Sequence, residues 1–255
     1  MRYHSTLGLD RDEITELVVR VFQVLEGRPR GSGRPPTLGL YRQVVLVLLY
    51  LRQNVPQTVL ADLYGVSQPT VSRIYRAVMP LLDQVLCLHE PELTSVFVNR
   101  DVLIDGTLVP TGNRADSKHN YSSKRLRQGL NIQVAAAADG TLLAVSPPVA
   151  GGRHDRRAIT ECGWEPVLDG FTWYADAAYI GTTATVPYKR SKYHDLTGYE
   201  QTVNKTISTK RSAVERAIGH LKNWKILATG YRGRLRELPN IIRITSRLEL
   251  YRLGW

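Results

Sequence analysis

The sequence predicts two folded parts: an all-α N-terminal unit built on a helix-turn-helix, then an α/β or α+β domain with a mixed sheet. Three observations carry this. Helical spacing of apolar residues dominates up to about residue 88, short apolar or alternating runs take over after Pro91, and the positive charge falls almost wholly in the second part. The chain has 255 residues and a net charge of +11. Its 43% hydrophobic and 22% charged residues are near globular averages, which excludes wholesale disorder and fibrous classes. The longest apolar run, residues 44–51, is far short of the roughly 20 residues that span a bilayer. The opening MRYHSTLGLDRDE turns acidic where a signal peptide needs an apolar stretch. Cys87 and Cys162 form neither a C-x-x-C pair nor a disulfide framework. A soluble, cytosolic protein with a polyanionic partner is expected.

The first element is an amphipathic helix over residues 10–26. Asp10 and Glu13 fit a capping box, and Ile14, Leu17, Val18, Val21, Phe22 and Leu25 recur at helical spacing. Residues 27–37, GRPRGSGRPPT, carry Arg28, Arg30 and Arg34 and read as a basic linker. A helix follows from Leu40 to Gln53. With Gln57 as the first residue of a twenty-residue helix-turn-helix, Ala61 is small at the helix crossing and Gly65 permits the turn. Val66, Val71 and Ile74 then pack back, while Gln68, Pro69, Thr70, Ser72, Arg73 and Arg76 occupy the start and outer face of the second helix. Side chains there normally reach base edges in the major groove, so Gln68, Thr70, Ser72, Arg73 and Arg76 are candidate DNA contacts. An ordinary helical hairpin is the competing reading.

Beyond Pro91, strands are expected at 96–98, 102–104, 130–136, 141–145 and 171–175, with Asp139-Gly140 as a hairpin turn. Helices are expected at 156–162, 209–226 and 238–252. The domain boundaries read 1–37 for helix and linker, 38–90 for the helix-turn-helix, and 96–255 for the mixed-sheet domain. Residues 1–95 carry a net charge of +1 and residues 96–255 a net of +10, concentrated at 114–127 and beyond Lys205.

Two acids stand out by what precedes them. Asp105 follows Val102-Leu103-Ile104, and Asp176 follows an apolar run ending at Ala175, so each is placed where a strand ends. Carboxylates held together repel unless a cation, a shared proton or separate hydrogen bonds intervene; divalent metal both resolves the repulsion and activates phosphorus chemistry. Taken singly, each acid is more simply a turn cap. On the helix KRSAVERAIGHLKNW, Arg211, Glu215 and Lys222 fall within about 40° of one another beside the apolar Val214, Ala217, Ile218 and Leu221. An intrahelical ion-pair set explains those charges but leaves the two strand acids unexplained.

With these residues in view, the chain resembles a DDE transposase of the insertion-sequence-five group, whose eukaryotic relatives include the Harbinger transposases. The matching stretches are VLIDGTLVPT (102–111), NYSSKRLRQGLNIQVAAAADG (120–140), GGRHD (151–155), FTWYADAAYIGT (171–182) and RSAVERAIGHLKNWKIL (211–227). The spacing R-x3-E-x6-K is the most specific, and the likeness covers residues 38–230. It implies an RNase H-like fold with Asp105, Asp176 and Glu215 as a metal-binding catalytic triad. It also implies a divalent cofactor, two Mg²⁺ or Mn²⁺ ions, and Arg211 and Lys222 as contacts to donor DNA. DNA as partner, both terminal inverted repeats and target, follows from it, as does a homodimer or higher assembly. Lys124, in the basic run 114–127, joins the candidate DNA contacts. One departure is Ser208, where the group pattern has Tyr. A silent DNA-binding derivative or a nuclease without integration activity are the alternatives.

Other residues carry less. His154-Asp155 reads as the opening of a helix with Asp155 as N-cap. His119 is a lone His in a basic loop. Cys87 and Cys162 read as small buried hydrophobes, and Trp164, Trp173 and Trp224 as core.

Overall fold

The structure, a computed structural model, describes residues 3–27, 35–87, 92–190 and 195–255. Arg28, Arg30 and Arg34 of the expected basic linker lie outside the described residues. Contacts divide the chain into two compact units. One is Met1–Glu90 with Lys222–Thr229 and Arg247–Trp255; the other is Pro91–Leu221 with Gly230–Ser246.

The first unit opens with α1 (Tyr3–Leu7) and α2 (Arg11–Glu26). Asp10 and Glu13 form the reciprocal capping box, Glu13 N donating to Asp10 Oδ1 at 2.8 Å and Asp10 N to Glu13 Oε2 at 2.6 Å. Helix α2 buries Ile14, Leu17 and Val21, while Phe22 stays exposed. Helix α3 (Leu40–Gln53) matches its expected span and buries six residues of its apolar face before Asn54 turns the chain left-handed. Next come α4 (Gln57–Tyr64) and α5 (Gln68–Leu86). Gly65 ends α4 at φ 64°, a conformation glycine adopts without penalty, and Val66 N donates to Ala61 O at 3.0 Å across the turn. Ala61, Val71 and Ile74 are buried, as the helix-turn-helix pattern requires.

The second unit starts with α6 (Leu93–Phe97), where a strand at 96–98 was expected. The amides of Ser95 and Val96 and the Ser95 hydroxyl all donate to Glu92 O, which closes one helical turn around two buried apolar residues. Then follow β1 (Val102–Pro110), β2 (Tyr121–Ser122), β3 (Arg127–Ala136), β4 (Leu142–Val145) and β5 (Val149–Ala150). After these come α7 (Asp155–Glu161), α8 (Glu165–Leu168), β6 (Trp173–Tyr174), α9 (Gly198–Lys222) and α10 (Leu238–Arg252). The sheet runs β2-β3-β1-β6, with β4 and β5 also paired to β3. Strands β1 and β3 are antiparallel from Leu103↔Ala136 to Pro110↔Gly129, whereas β1 and β6 are parallel. The sheet is therefore mixed and the fold is α/β, as expected. The β3–β4 hairpin turns at Asp139-Gly140, whose Asp139 Oδ1 accepts from Thr141 N at 2.8 Å.

Helix α9 begins eleven residues before its expected start. Its first turns bury Ile207 alone before Ala213, so no apolar stripe marks them. Hydroxyls of Thr202, Thr206 and Thr209 fold back onto carbonyls four residues earlier instead. Trp164, Trp173 and Trp224 are buried, as expected. Cys87 is exposed rather than packed, its thiol donating to Gln84 O at the end of α5, and Cys162 is half-buried.

Candidate active site

Asp105 is the fourth residue of the nine in β1, so it lies inside a strand instead of at its end. The strand runs on because residues 106–110 keep pairing with β3. Asp176 does stand past a strand end, two residues beyond β6. The parallel register sets Val102 against Trp173 and Leu103 against Tyr174. Asp105 and Asp176 each stand two residues past the last pair of this register. Asp176 Oδ1 accepts from Ala178 N, and Asp105 Oδ1 from Gly106 N, each at 2.8 Å. Asp176 is thus both a turn cap and a neighbour of Asp105. Burial, reinforced by the charge of Asp176 and then by Asp155, pushes the Asp105 carboxyl up to about 6, while Arg211 opposes the shift.

Helix α9 brings the third acid. Lys210 binds Asp101 through its ammonium and stands 3.9 Å from the ring centroid of Tyr174, so α9 is fixed against the ends of β1 and β6. The next residue, Arg211, then faces the acids. Its Nη2 is 4.0 Å from Asp176 Oδ2 and 3.7 Å from Glu215 Oε1, and its Nε is buried without a hydrogen-bond partner. The structure thus brings Asp105, Asp176, Arg211 and Glu215 together, with Arg211 standing between the last two carboxylates. The Glu215 side chain is 61% exposed. Lys222 closes α9 seven residues further on and is grouped with the first unit.

Sequence reasoning missed a fourth acid. Asp155 is the first residue of α7, with His154 as the N-cap, so the expected capping role for Asp155 does not hold. Its carboxylate is held elsewhere: Asn131 Nδ2 donates to Oδ1 at 3.1 Å, and Lys124 Nζ lies 3.6 Å from Oδ2. A Cβ on Gly106 would stand 2.2 Å from Asp155 Oδ1, so a side chain after Asp105 would have to displace that carboxylate. Behind it runs a chain of buried polar groups. The Tyr179 hydroxyl donates to Gln133 Oε1, Gln133 Nε2 donates to Asn131 Oδ1 at 3.1 Å, and Asn131 Nδ2 reaches both Asp155 and Arg153 O. Direction is dictated by its end: a carboxylate and a carbonyl only accept, so Asn131 must present its NH₂ to them and its oxygen to Gln133. Burial and the surrounding carboxylates push the Tyr179 hydroxyl well above the usual tyrosine range, which keeps it a donor. The sequence signal was the alternation Asn131-x-Gln133 in an otherwise apolar strand.

The donor chemistry fits a divalent cation: hard oxygen ligands, with one carboxyl destabilised by its neighbours. Among the described residues no group of three His, Cys, Asp or Glu side chains is arranged so as to hold a metal ion; Glu215 Oε1 is instead 3.7 Å from Arg211 Nη2. In the helical unit, Gln68, Arg73 and Arg76 are exposed and Thr70 and Ser72 half-buried on α5. Gln68 Nε2 donates to Gln57 Oε1 across the two helices at 2.7 Å, and Arg73 bonds Thr70 on its own helix. No helix among the described residues is long and apolar enough to cross a membrane.

A mixed sheet with one carboxylate inside β1 and another just past the end of β6, preceded by a helix-turn-helix, points to a class. The chain belongs to the DDE superfamily endonucleases: that family matches residues 104–249, and the helix-turn-helix of DDE superfamily endonucleases matches residues 36–88. The chain is similar to the putative transposase for insertion sequence element IS112 of Streptomyces albus G. The two are 34% identical over 199 residues, which is 77% of this chain and 74% of that protein. No solved structure matches it.

Proposed function

We propose that the protein is the transposase of an insertion sequence. It binds the element's terminal inverted repeats through α4 and α5, cuts strands there and joins the freed ends to target DNA. Membership of the insertion-sequence-five group, with Harbinger relatives, is part of this reading. The observation that supports it best is the closeness of Asp105 and Asp176, two residues past the last pair of β1 with β6, where the charge of one raises the other's pKa.

In this reading Asp105, Asp176 and Glu215 hold divalent cations, Mg²⁺ or Mn²⁺. Such ions supply activation of the attacking oxygen and neutralisation of the departing one. The protein supplies the rest. The buried network ending at Asp155 fixes that carboxylate beside the acidic pair, so this part of the face is preorganised when DNA arrives. Arg211, whose Nε lacks a partner, offers its guanidinium to a phosphate next to the cut. Lys222 and Lys124 extend that cationic contact along the backbone. No covalent protein intermediate is needed, because phosphoryl transfer of this type rests on positioning and charge. Both DNA ends must be held at once, so the working form is a dimer or larger assembly.

The test is nicking of terminal-repeat duplex in Mg²⁺ by wild type and Asp105→Asn. Loss of about a hundredfold or more in cutting, with binding kept, is the expected result for removal of a charge-stabilising group. Unchanged nicking in Asp105→Asn overturns the site. A wild type that binds and never cuts is a silent DNA-binding protein, and one that cuts but cannot join a pre-cut 3′-OH end is a plain nuclease.

A further inference from the structure

The loop between β2 and β3, residues 123–126, displays a side chain that the cutting chemistry does not use. Leu126 is 76% exposed, and its φ of 50° places it in the left-handed region that leucine rarely occupies. The loop is closed by the pairs Tyr121↔Gln128 and Ser122↔Arg127, which hold it in this shape. Lys124, Arg125 and Arg127 surround Leu126, all exposed, and no acid occurs between Asp116 and Asp139. An apolar side chain set among cations does not suit a protein core, which would leave the cations unpaired. Duplex DNA suits both: phosphates for the cations, and stacked bases into which an apolar group can enter.

The same loop forms one wall of a cavity of about 210 Å³. The opposite walls come from residues 106–108 of β1 and residues 151–155, with Ala178 between them. Gly106 follows Asp105, and Ala178 donates to Asp176, so the cavity adjoins the acidic pair. Its lining combines the polar Ser122, Ser123, His154 and Asp155 and the cationic Lys124, Arg125 and Arg153 with the apolar Leu108. That mixture of edge donors and acceptors with an apolar face matches a nucleobase. The volume is below the roughly 300–1,000 Å³ of sites for drug-sized ligands, as a single base requires.

We propose that Leu126 is a wedge that enters the DNA stack beside the scissile phosphate, and that the adjoining cavity receives the nucleotide it displaces. This rests on the transposase reading above. Cations at the loop fix it to the backbone while the wedge unstacks one step, and the unstacked strand gains the freedom to turn its phosphate towards the acids.

The test uses the full chain and terminal-repeat duplex carrying 2-aminopurine beside the cleavage position. Wild type is expected to raise its fluorescence several-fold on binding, as an unstacked base does. Leu126→Asn keeps a residue that tolerates the left-handed backbone and removes the wedge. It should lose the fluorescence rise, bind within about threefold of wild type, and nick intact duplex at least tenfold more slowly. A mismatch at the same step, already unstacked, should restore its nicking, and Leu126→Met should keep the signal. A wild type that cuts without any fluorescence rise overturns the wedge and leaves the transposase reading intact. Leu126→Asn cutting intact duplex at the wild-type rate also overturns it. A wild type that neither cuts nor raises the signal removes both proposals together.

Discussion

Asp105 carries charge where the fold resists it, and the direction of that resistance fixes its pH signature. Its folded pKa of about 6 stands above the ordinary 3.8, so the folded chain binds this proton more tightly than the unfolded one. Stability from this group is therefore greatest below pH 3.8, falls as pH rises through the window to about 6, and stays reduced above it. At pH 7.5, Asp105→Asn should raise unfolding stability by about 2–3 kcal/mol, from 1.36 kcal/mol per pKa unit. At pH 3.5 the two proteins should melt together, which urea unfolding at both pH values would check. Millimolar Mg²⁺ should raise the melting temperature of wild type and leave Asp105→Asn unmoved, because only the ionised pair gains from a cation that binds the folded state. Gly106→Ala is the complementary change: the new methyl would displace Asp155, and nicking should fall at least tenfold while DNA binding is kept.

At the scale of elements, helix α10 is held by a buried charge. Glu249 is 1% exposed, accepts the Trp224 indole N–H at 2.8 Å and binds Arg252 Nη2 at 2.5 Å. Arg52, stacked 5.2 Å from the Trp224 ring, adds a second cation to this carboxylate. Glu249→Ala strands those donors and should cost about 3–5 kcal/mol, the range for breaking a buried pair, read as a drop in thermal melting. Helices with a continuous apolar stripe, α3 and α10, were legible from spacing alone to the residue. The start of α9 was not, because threonines satisfy its backbone locally in place of an apolar face. Residues 96–98 read as strand because a short apolar run carries no period of its own, and a capping carbonyl at Glu92 decided for helix. In the site, Asp105 and Asp176 were visible as acids beside apolar runs. Asp155 was not, since its meaning depends on a β3 contact 24 residues away in sequence.

Across the whole molecule, charge and recognition are separated. Residues 1–95 are nearly neutral at +1, so on the proposed function the reading of terminal repeats depends on few side chains such as Arg73. On the same proposal, the +10 of the remainder acts on phosphates, whatever their sequence. Arg73→Ala should weaken specific binding by about 1–3 kcal/mol and barely change the affinity for unrelated duplex. Lys124→Gln should weaken both equally and lower the slope of log affinity against log salt by about one. Titrations on both duplexes at several salt concentrations separate these effects.

The helical unit takes Trp224, Ile226, Leu227, Leu248 and Leu250 into its core from segments that lie more than 130 residues beyond the end of α5. A ribosome that has made the helix-turn-helix has therefore not yet made all of the core that supports it. Chains cut short before residue 222 lack those residues and leave the face they cover exposed. The protein that reaches DNA in folded form has thus also completed the segment that bears Asp105, Asp176 and Glu215.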